Sequence, residues 1–93
     1  MPTMDDLGKL ASQLYKGNPS IGAKQDISGL QWDQDAATSL GFTSSGFELW
    51  SGEEISHGRA YVRNFTSTYS GWFNGFYRDN VNGDNVQAVC IAD

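Results

Sequence analysis

The chain has 93 residues and a formal net charge of −5 at pH 7, a size that accommodates one domain with one hydrophobic core. The acidic balance argues against nucleic acids and anionic membrane surfaces as partners, because both require a concentrated positive patch. The single cysteine, Cys90, excludes an internal disulfide framework and a multi-cysteine metal site within the chain.

The N-terminal segment predicts a helix over residues 4–16. Thr3 and Asp6 have the spacing of a capping box, in which each side chain accepts a hydrogen bond from the backbone N–H of the other. Apolar residues then recur at helical spacing until Gly17-Asn18-Pro19 ends the helix.

Because the chain begins almost directly on this helix, we expect that the natural protein extends further toward its N-terminus, with an assembly or membrane segment removed. The chain itself has no apolar run near the roughly 20 residues that cross a bilayer, so we expect no membrane contact from it.

Residues 20–30 contain Gly, Ser and isolated Ile residues, which predicts a loop with little regular structure. A second, short helix is predicted to begin at Trp32 or Asp33, with Gly41 as its C-terminal cap. The small apolar face of this helix consists of Ala36, Ala37 and Leu40.

The second half of the chain predicts an antiparallel sheet. Alternating patterns indicate strands at residues 47–50, 59–65, 72–78 and 86–92. A polar connection occupies residues 66–71, and a turn around Asn82-Gly83 occupies residues 79–85. The sequence therefore predicts a single α+β domain over residues 1–93, in which two helices pack on a small antiparallel sheet with long loops.

The composition between residues 55 and 85 is unusual, because it includes no Lys, Glu, Gln, Met, Leu or Pro. Aromatic residues give large, rigid contact area and Asn, Ser and Gly give adaptable hydrogen bonding, a composition typical of a recognition surface. The alternative is an aromatic-rich sheet core, and the pattern leaves both interpretations open. The aromatic residues concerned are Tyr61, Phe65, Tyr69, Trp72, Phe73, Phe76 and Tyr77.

Few residues predict catalysis or metal binding. Glu53 and Glu54 are adjacent, but neighbours on a strand point to opposite sides, which favours structural or solvated roles. His57 is the only histidine, and no G-x-S-x-G or comparable nucleophile motif is present.

One loop offers oxygen ligands for a weak Ca²⁺ site, although their spacing fits a plain turn better than an EF-hand. Those ligands are Asp79, Asn82, Asp84 and Asn85. We predict a non-enzymatic protein with no cofactor and no metal, in which Cys90 is a buried thiol or pairs with a cysteine in an N-terminal extension.

Several segments of the second half resemble the C-terminal portion of bacterial C-type-lectin-like domains. They are Leu49-Trp50-Ser51-Gly52-Glu53-Glu54, Ala60-Tyr61-Val62-Arg63-Asn64-Phe65, Ser67-Thr68-Tyr69-Ser70-Gly71-Trp72 and Gln87-Ala88-Val89-Cys90-Ile91-Ala92-Asp93. More specifically, the chain resembles the variable proteins of diversity-generating retroelements, in which a reverse transcriptase randomises adenines within a fixed lectin-like frame. The first half, with Pro2-Thr3-Met4-Asp5-Asp6-Leu7, is similar to the start of the globular part of pilin-like surface proteins from gut bacteria.

This resemblance implies a C-type-lectin-like fold and a module that displays a diversified ligand-binding face at the bacterial surface, in a pilus or adhesin. Randomised Asn codons yield His, Gly, Arg, Val, Phe, Tyr, Asp, Ser or Asn, but not Lys, Glu, Gln, Met or Trp. Residues 55–85 fit that restriction if Trp72 belongs to the fixed frame. The implied ligand-binding positions are His57, Gly58, Arg59, Val62, Phe73, Gly75, Phe76, Tyr77, Asp79, Val81, Asn82, Gly83 and Asp84.

The resemblance also indicates which partners to expect. Arg59, Phe73, Phe76 and Tyr77 are the implied anchors, because aromatic and Arg side chains dominate interface energetics. The Glu-Pro-Asn and Trp-Asn-Asp tripeptides of calcium-dependent sugar-binding lectins are absent. We therefore expect a protein or other cell-surface ligand, with further pilin subunits as additional partners. The alternatives are a carbohydrate-binding lectin domain and a purely structural pilin subunit.

Overall fold

A computed structural model describes residues 1–76 and 86–87 of the chain. Its helices are α1 (Met4–Leu14) and α2 (Gln34–Ser39), and its strands are β1 (Ile27–Ser28), β2 (Phe47–Ser56), β3 (Arg59–Phe65), β4 (Tyr69–Ser70), β5 (Trp72–Phe76) and β6 (Val86–Gln87). The main sheet has the order β5-β3-β2-β6, and β1 pairs with β4 in a separate two-stranded sheet. The predicted α+β class with two helices is confirmed in the described residues.

The prediction of a purely antiparallel sheet was wrong, because β6 pairs with β2 in parallel. Glu48 lies opposite Val86 in that pairing, and Leu49 lies opposite Gln87. β2 and β5 both run antiparallel to β3, so the sheet is mixed. The predicted turn at 79–85 and the remainder of the last strand at 88–92 lie outside the described residues, as does Cys90.

The predicted capping box of α1 is confirmed. Thr3 Oγ1 accepts a hydrogen bond from the Asp6 N–H, and the Asp6 carboxylate accepts one from the Thr3 N–H, each at 3.1 Å. These bonds lower the pKa of Asp6, because they favour its charged form. The helix ends at Leu14 instead of the predicted Lys16, since Tyr15 is extended and forms an isolated bridge with Trp32.

The second helix is shorter and less buried than its sequence predicted. Asp33 is its N-cap and accepts from the Ala36 N–H at 3.1 Å, and Gly41 follows with a φ of 94°. Of its predicted apolar face, only Ala37 is fully buried, whereas Leu40 is 45% exposed. The predicted loop at 20–30 contains the short strand β1, because Ile27 and Ser28 pair with β4.

The two sides of the main sheet have different surroundings. Residues that pair across neighbouring strands lie on the same side of the sheet, so the register assigns each side chain. The helix side packs against α1 and the loops around it with Phe47, Leu49, Tyr61, Arg63, Phe65 and Trp72. The same register places Arg59, Asn74 and Phe76 on this side, at the end where β3 begins and outside the main core cluster. The opposite side, called the cleft side below, carries Glu48, Trp50, Ala60, Val62, Asn64, Phe73, Gly75 and Val86.

A fully buried arginine connects the helix side to the loop before β1. The Arg63 guanidinium donates to the backbone carbonyls of Gly22, Ala23 and Gln25 at 2.9, 3.0 and 3.1 Å, and to Ser70 Oγ at 3.0 Å. Burial lowers the pKa of Arg63, because desolvation disfavours the charged form. These bonds hold the loop against β3.

Candidate functional site

The cleft side of the sheet carries a concave site. A cavity of about 190 Å³ is lined by described residues from β2, β5 and β6. They are Glu48, Trp50, Phe73, Asn74, Gly75, Phe76 and Val86. Beneath it, a small apolar cluster is buried on the same side of the sheet, formed by Trp50, Ala60, Val62 and Val86.

Gly75 allows the Trp50 ring to lie directly on the backbone of β5. A Cβ atom at position 75 would lie 2.7 Å from Val62 Cγ2 and 2.8 Å from Trp50 Cζ3. Contacts this short do not occur between packed carbon atoms, so a larger residue at position 75 requires Val62 or Trp50 to move. Gly75 therefore sets the depth of the site, with the Trp50 ring as part of its floor.

Phe73 is the exposed aromatic residue of this site. It is 37% exposed, although its strand is paired with β3 from Trp72 to Phe76. It pairs with Val62 across to β3, which in turn pairs with Trp50. An exposed ring that is fixed by a paired strand and adjoins a cavity offers contact area at low entropic cost.

The hairpin between β2 and β3 brings further predicted residues to one end of the sheet. His57 is exposed in the turn, and Gly58 takes a φ of 79°, which favours glycine at this position. Arg59 opens β3 and pairs with Phe76, and its guanidinium lies 4.8 Å from the centre of the Phe76 ring. This distance is a cation–π contact.

The predicted binding residues thus fall into four groups. His57, Gly58, Arg59 and Phe76 meet at the hairpin end, and Phe73 and Gly75 line the cavity with Phe76. Val62 is fully buried, so its side chain is part of the core beneath the cavity and not of the accessible surface. Six predicted positions lie outside the described residues, namely Tyr77, Asp79, Val81, Asn82, Gly83 and Asp84.

Trp50 and Glu48 line the cavity but were not among the predicted binding residues. A signal for them was present in the sequence, since strand alternation after Phe47 places Glu48 and Trp50 opposite Phe47 and Leu49. The depth of the cavity carried no such signal, because it depends on Gly75 approaching Trp50 from another strand.

Some of the described aromatic residues between positions 55 and 85 belong to the core, and one is exposed as a contact residue would be. Phe65 is fully buried on the helix side and stacks on Phe47 with ring centres 5.0 Å apart. Tyr61 and Trp72 are half-buried and also pack against the main core. Among the described aromatic residues of 55–85, Phe73 has the exposure that a contact residue needs.

The acidic pair has the separate roles that strand geometry predicted. The Glu53 carboxylate accepts a hydrogen bond from the Met4 N–H at 2.6 Å, at the N-terminus of α1, where the helix dipole favours negative charge. Glu54 is exposed and pairs with Ala60 of β3. Residues 1–76 and 86–87 contain no group of three or more His, Cys, Asp or Glu side chains placed to hold a metal ion.

A second, more polar groove lies at the start of β2. Its volume is about 250 Å³, and its walls come from the loop between α2 and β2. It is lined by Gly41, Phe42, Thr43, Ser44, Ser45, Gly46, Phe47 and Gln87. Phe42 and Phe47 stack within it at 4.9 Å with nearly parallel rings.

Comparisons with protein-family models, with curated proteins and with solved structures find no match to this chain. Within the described residues, no helix has the length and apolar character that crossing a bilayer requires.

Proposed function

We propose that this chain is a non-enzymatic binding module of C-type-lectin-like fold, which displays a diversified ligand-binding face on a bacterial pilus or adhesin. The observation that carries the proposal is the combination of exposed Phe73 with a cavity floored by Trp50 on the cleft side of a four-stranded sheet. A rigid ring beside a concave site is the arrangement found at the centre of protein interfaces.

The size of the cavity favours a protein ligand. Sites for small molecules and cofactors usually enclose about 300–1,000 Å³. The cavity of about 190 Å³ falls below that range, and it suits a single inserted side chain. We therefore propose that a side chain of the partner enters the cavity, while Phe73 contacts the partner beside it. Phe76 borders the cavity from the end of β5, and the Arg59–Phe76 pair offers a further contact at that end of the sheet.

The candidate residues lie where the sequence can vary without loss of the fold. The hairpin residue His57 and the strand residues Arg59, Phe73 and Phe76 lie outside the main core cluster between the sheet and α1. Replacing them does not open a cavity in that core. Because these side chains are exposed or half-buried, we expect a single substitution among them to lower stability by about 1 kcal/mol or less.

A pair of display libraries tests the proposal. One library randomises positions 57, 59, 73 and 76 with Asn-derived codons, and the control library randomises the same number of helix-side positions, 61, 63, 65 and 72. Both are displayed on yeast, sorted for folded protein, and selected against lysozyme as a defined protein target. We expect most members of the first library to fold and some to bind lysozyme, whereas few members of the control library fold. Loss of folding in both libraries, or folding without any binder in the first, would contradict the proposal.

A carbohydrate-binding module is the second candidate, and the groove at 41–47 favours it. Thr43, Ser44 and Ser45 line the groove together with Phe42 and Phe47, and sugars offer both hydroxyls and apolar C–H faces. Thermal unfolding in a panel of monosaccharides and disaccharides separates the two functions. A stabilising shift that disappears in Ser44→Ala/Ser45→Ala and is unaffected by Phe73→Ala would favour carbohydrate binding at the groove.

A further inference from the structure

A lysine ammonium contacts two neighbouring aromatic rings on the helix side of the sheet, away from the cleft. The Lys24 ammonium is 4.1 Å from the centre of the Tyr61 ring and 5.8 Å from the centre of the Trp72 ring. The two ring centres are 5.7 Å apart with an interplanar angle of 63°, so the rings form two walls of a corner. Both distances are within the range of a cation–π contact.

The two walls are fixed by the fold. Tyr61 and Trp72 lie on neighbouring antiparallel strands, two residues apart in the register, where long side chains on one side of a sheet meet. Both rings are half-buried and pack against the main core. Because the core holds one side of each ring, the corner between the rings is already formed before a cation binds.

The lysine is held in place by its backbone and not by a counter-ion. The carbonyls of Ala23 and Gln25, on either side of Lys24, both accept hydrogen bonds from buried Arg63. The Lys24 side chain is exposed and forms no ion pair with a carboxylate in the described ranges. Asp26 contributes negative charge beside the corner, since its carboxylate accepts a hydrogen bond from the Trp72 backbone N–H at 3.1 Å.

We propose that the Tyr61–Trp72 corner is a binding site for a quaternary ammonium group, and that Lys24 occupies it as an internal competitor. A primary ammonium is compact and strongly hydrated, so leaving the rings for water costs Lys24 little. A quaternary ammonium is bulky, weakly hydrated and unable to donate hydrogen bonds, and aromatic walls are the common means by which proteins recognise it. Such a ligand therefore displaces the lysine. This site does not depend on the function proposed for the cleft side.

The test is an NMR titration of the wild-type chain and the Lys24→Ala variant with tetramethylammonium chloride at constant ionic strength. We expect saturable shifts of the Trp72 indole N–H and an upfield ring-current shift of the ligand methyl protons, with affinity about fivefold higher in Lys24→Ala, because the variant removes one competing cation–π contact. Lys24→Ser serves as a second variant. The neutral isostere 3,3-dimethylbutanol is the control for simple apolar binding.

Three results would overturn the proposal. The first is equal affinity in the wild type and both Lys24 variants. The second is equal binding of tetramethylammonium and the neutral isostere. The third is binding whose methyl protons show no contact with the Trp72 ring. If binding is confirmed, separate titrations with choline and with trimethyl-lysine distinguish a small-molecule source of the group from a modified protein.

Discussion

The two sides of the main sheet use the same residue types for different purposes. On the helix side, Phe65 is fully buried and stacks on Phe47, and Arg63 is fully buried with four hydrogen-bond acceptors around it. On the cleft side, Phe73 is 37% exposed beside a cavity. The difference shows that aromatic content alone does not separate core from contact surface in this chain. The register on β3 separates the buried Phe65 and Arg63 from Phe73, which pairs with Val62.

The largest expected difference in stability is between variants of Phe65 and of Phe73. Phe65→Ala should lower the free energy of unfolding by about 4 kcal/mol, because it removes a fully buried ring and leaves a cavity. Phe73→Ala should lower it by about 1 kcal/mol, since part of that ring already contacts water. Urea unfolding followed by circular dichroism measures both. Equal losses would show that Phe73 belongs to the core and would remove the distinction between the sides.

The second comparison uses the two arginines of β3. Arg63→Met should destabilise the fold by about 3 kcal/mol, because the carbonyls of Gly22, Ala23 and Gln25 lose their buried donor. Arg59→Met is the matched control and should cost at most about 1 kcal/mol, the value of its contact with Phe76. Chemical denaturation of both variants checks the order. A larger loss in Arg59→Met would contradict it.

Gly75 sharpens the comparison within the cleft side itself. Gly75→Ala should cost about 2 kcal/mol, because the added Cβ lies 2.7 Å from Val62 Cγ2 and 2.8 Å from the Trp50 ring. Gly22→Ala is the control, since a Cβ there meets nothing closer than Gln25 Oε1 at 3.4 Å. In a double-mutant cycle, Val62→Ala should recover at least about 0.5 kcal/mol of the loss. Strict additivity would mean that positions 62 and 75 vary independently.

The smallest effect concerns a buried hydroxyl on the helix side. Tyr15 donates to the Thr66 carbonyl at 2.7 Å, and desolvation raises the pKa of Tyr15 from 10.0 to about 12. The unfolded chain therefore loses this proton at a lower pH than the folded chain. The stabilising contribution of the neutral hydroxyl should be complete below pH 10 and be lost as the pH rises toward 12.

The matched variant for this effect is Tyr15→Phe, which removes the hydroxyl and its hydrogen bond and keeps the ring. This substitution should lower the free energy of unfolding by about 1 kcal/mol at pH 7. The difference in unfolding free energy between wild type and variant should shrink between pH 10 and 12. A difference that stays constant over this window would show that the Tyr15 hydroxyl titrates as it does in the unfolded chain.

Local signals in the sequence identified much of this architecture. The capping box at Thr3 and Asp6, the cap at Asp33 and the bounds of β3 all depend on residues within a few positions of each other, and the structure confirms them. The parallel pairing of β6 with β2 was not predictable in the same way, because nothing near Val86 encodes the direction of a strand some 40 residues earlier.

The site was less predictable than the fold. The burial of Arg63 depends on three carbonyls that precede it by 38 to 41 residues, and strand alternation alone placed it beside Tyr61 and Phe65 without showing its partners. The depth of the cavity likewise depends on the approach of Gly75 to Trp50 across the sheet. Contacts between distant segments, and not residue type, decided which side chains reach the surface.

The most direct test of the proposed variable face is to sequence the DNA around the gene and search for a reverse transcriptase beside a near-copy of the segment that encodes residues 55–93. The proposal predicts such a copy, with differences at adenines in the codons for His57, Arg59, Phe73 and Phe76. It also predicts unchanged codons for the helix-side residues Arg63, Phe65 and Trp72. The absence of a copy, or differences spread equally over helix-side codons, would contradict a diversified binding face.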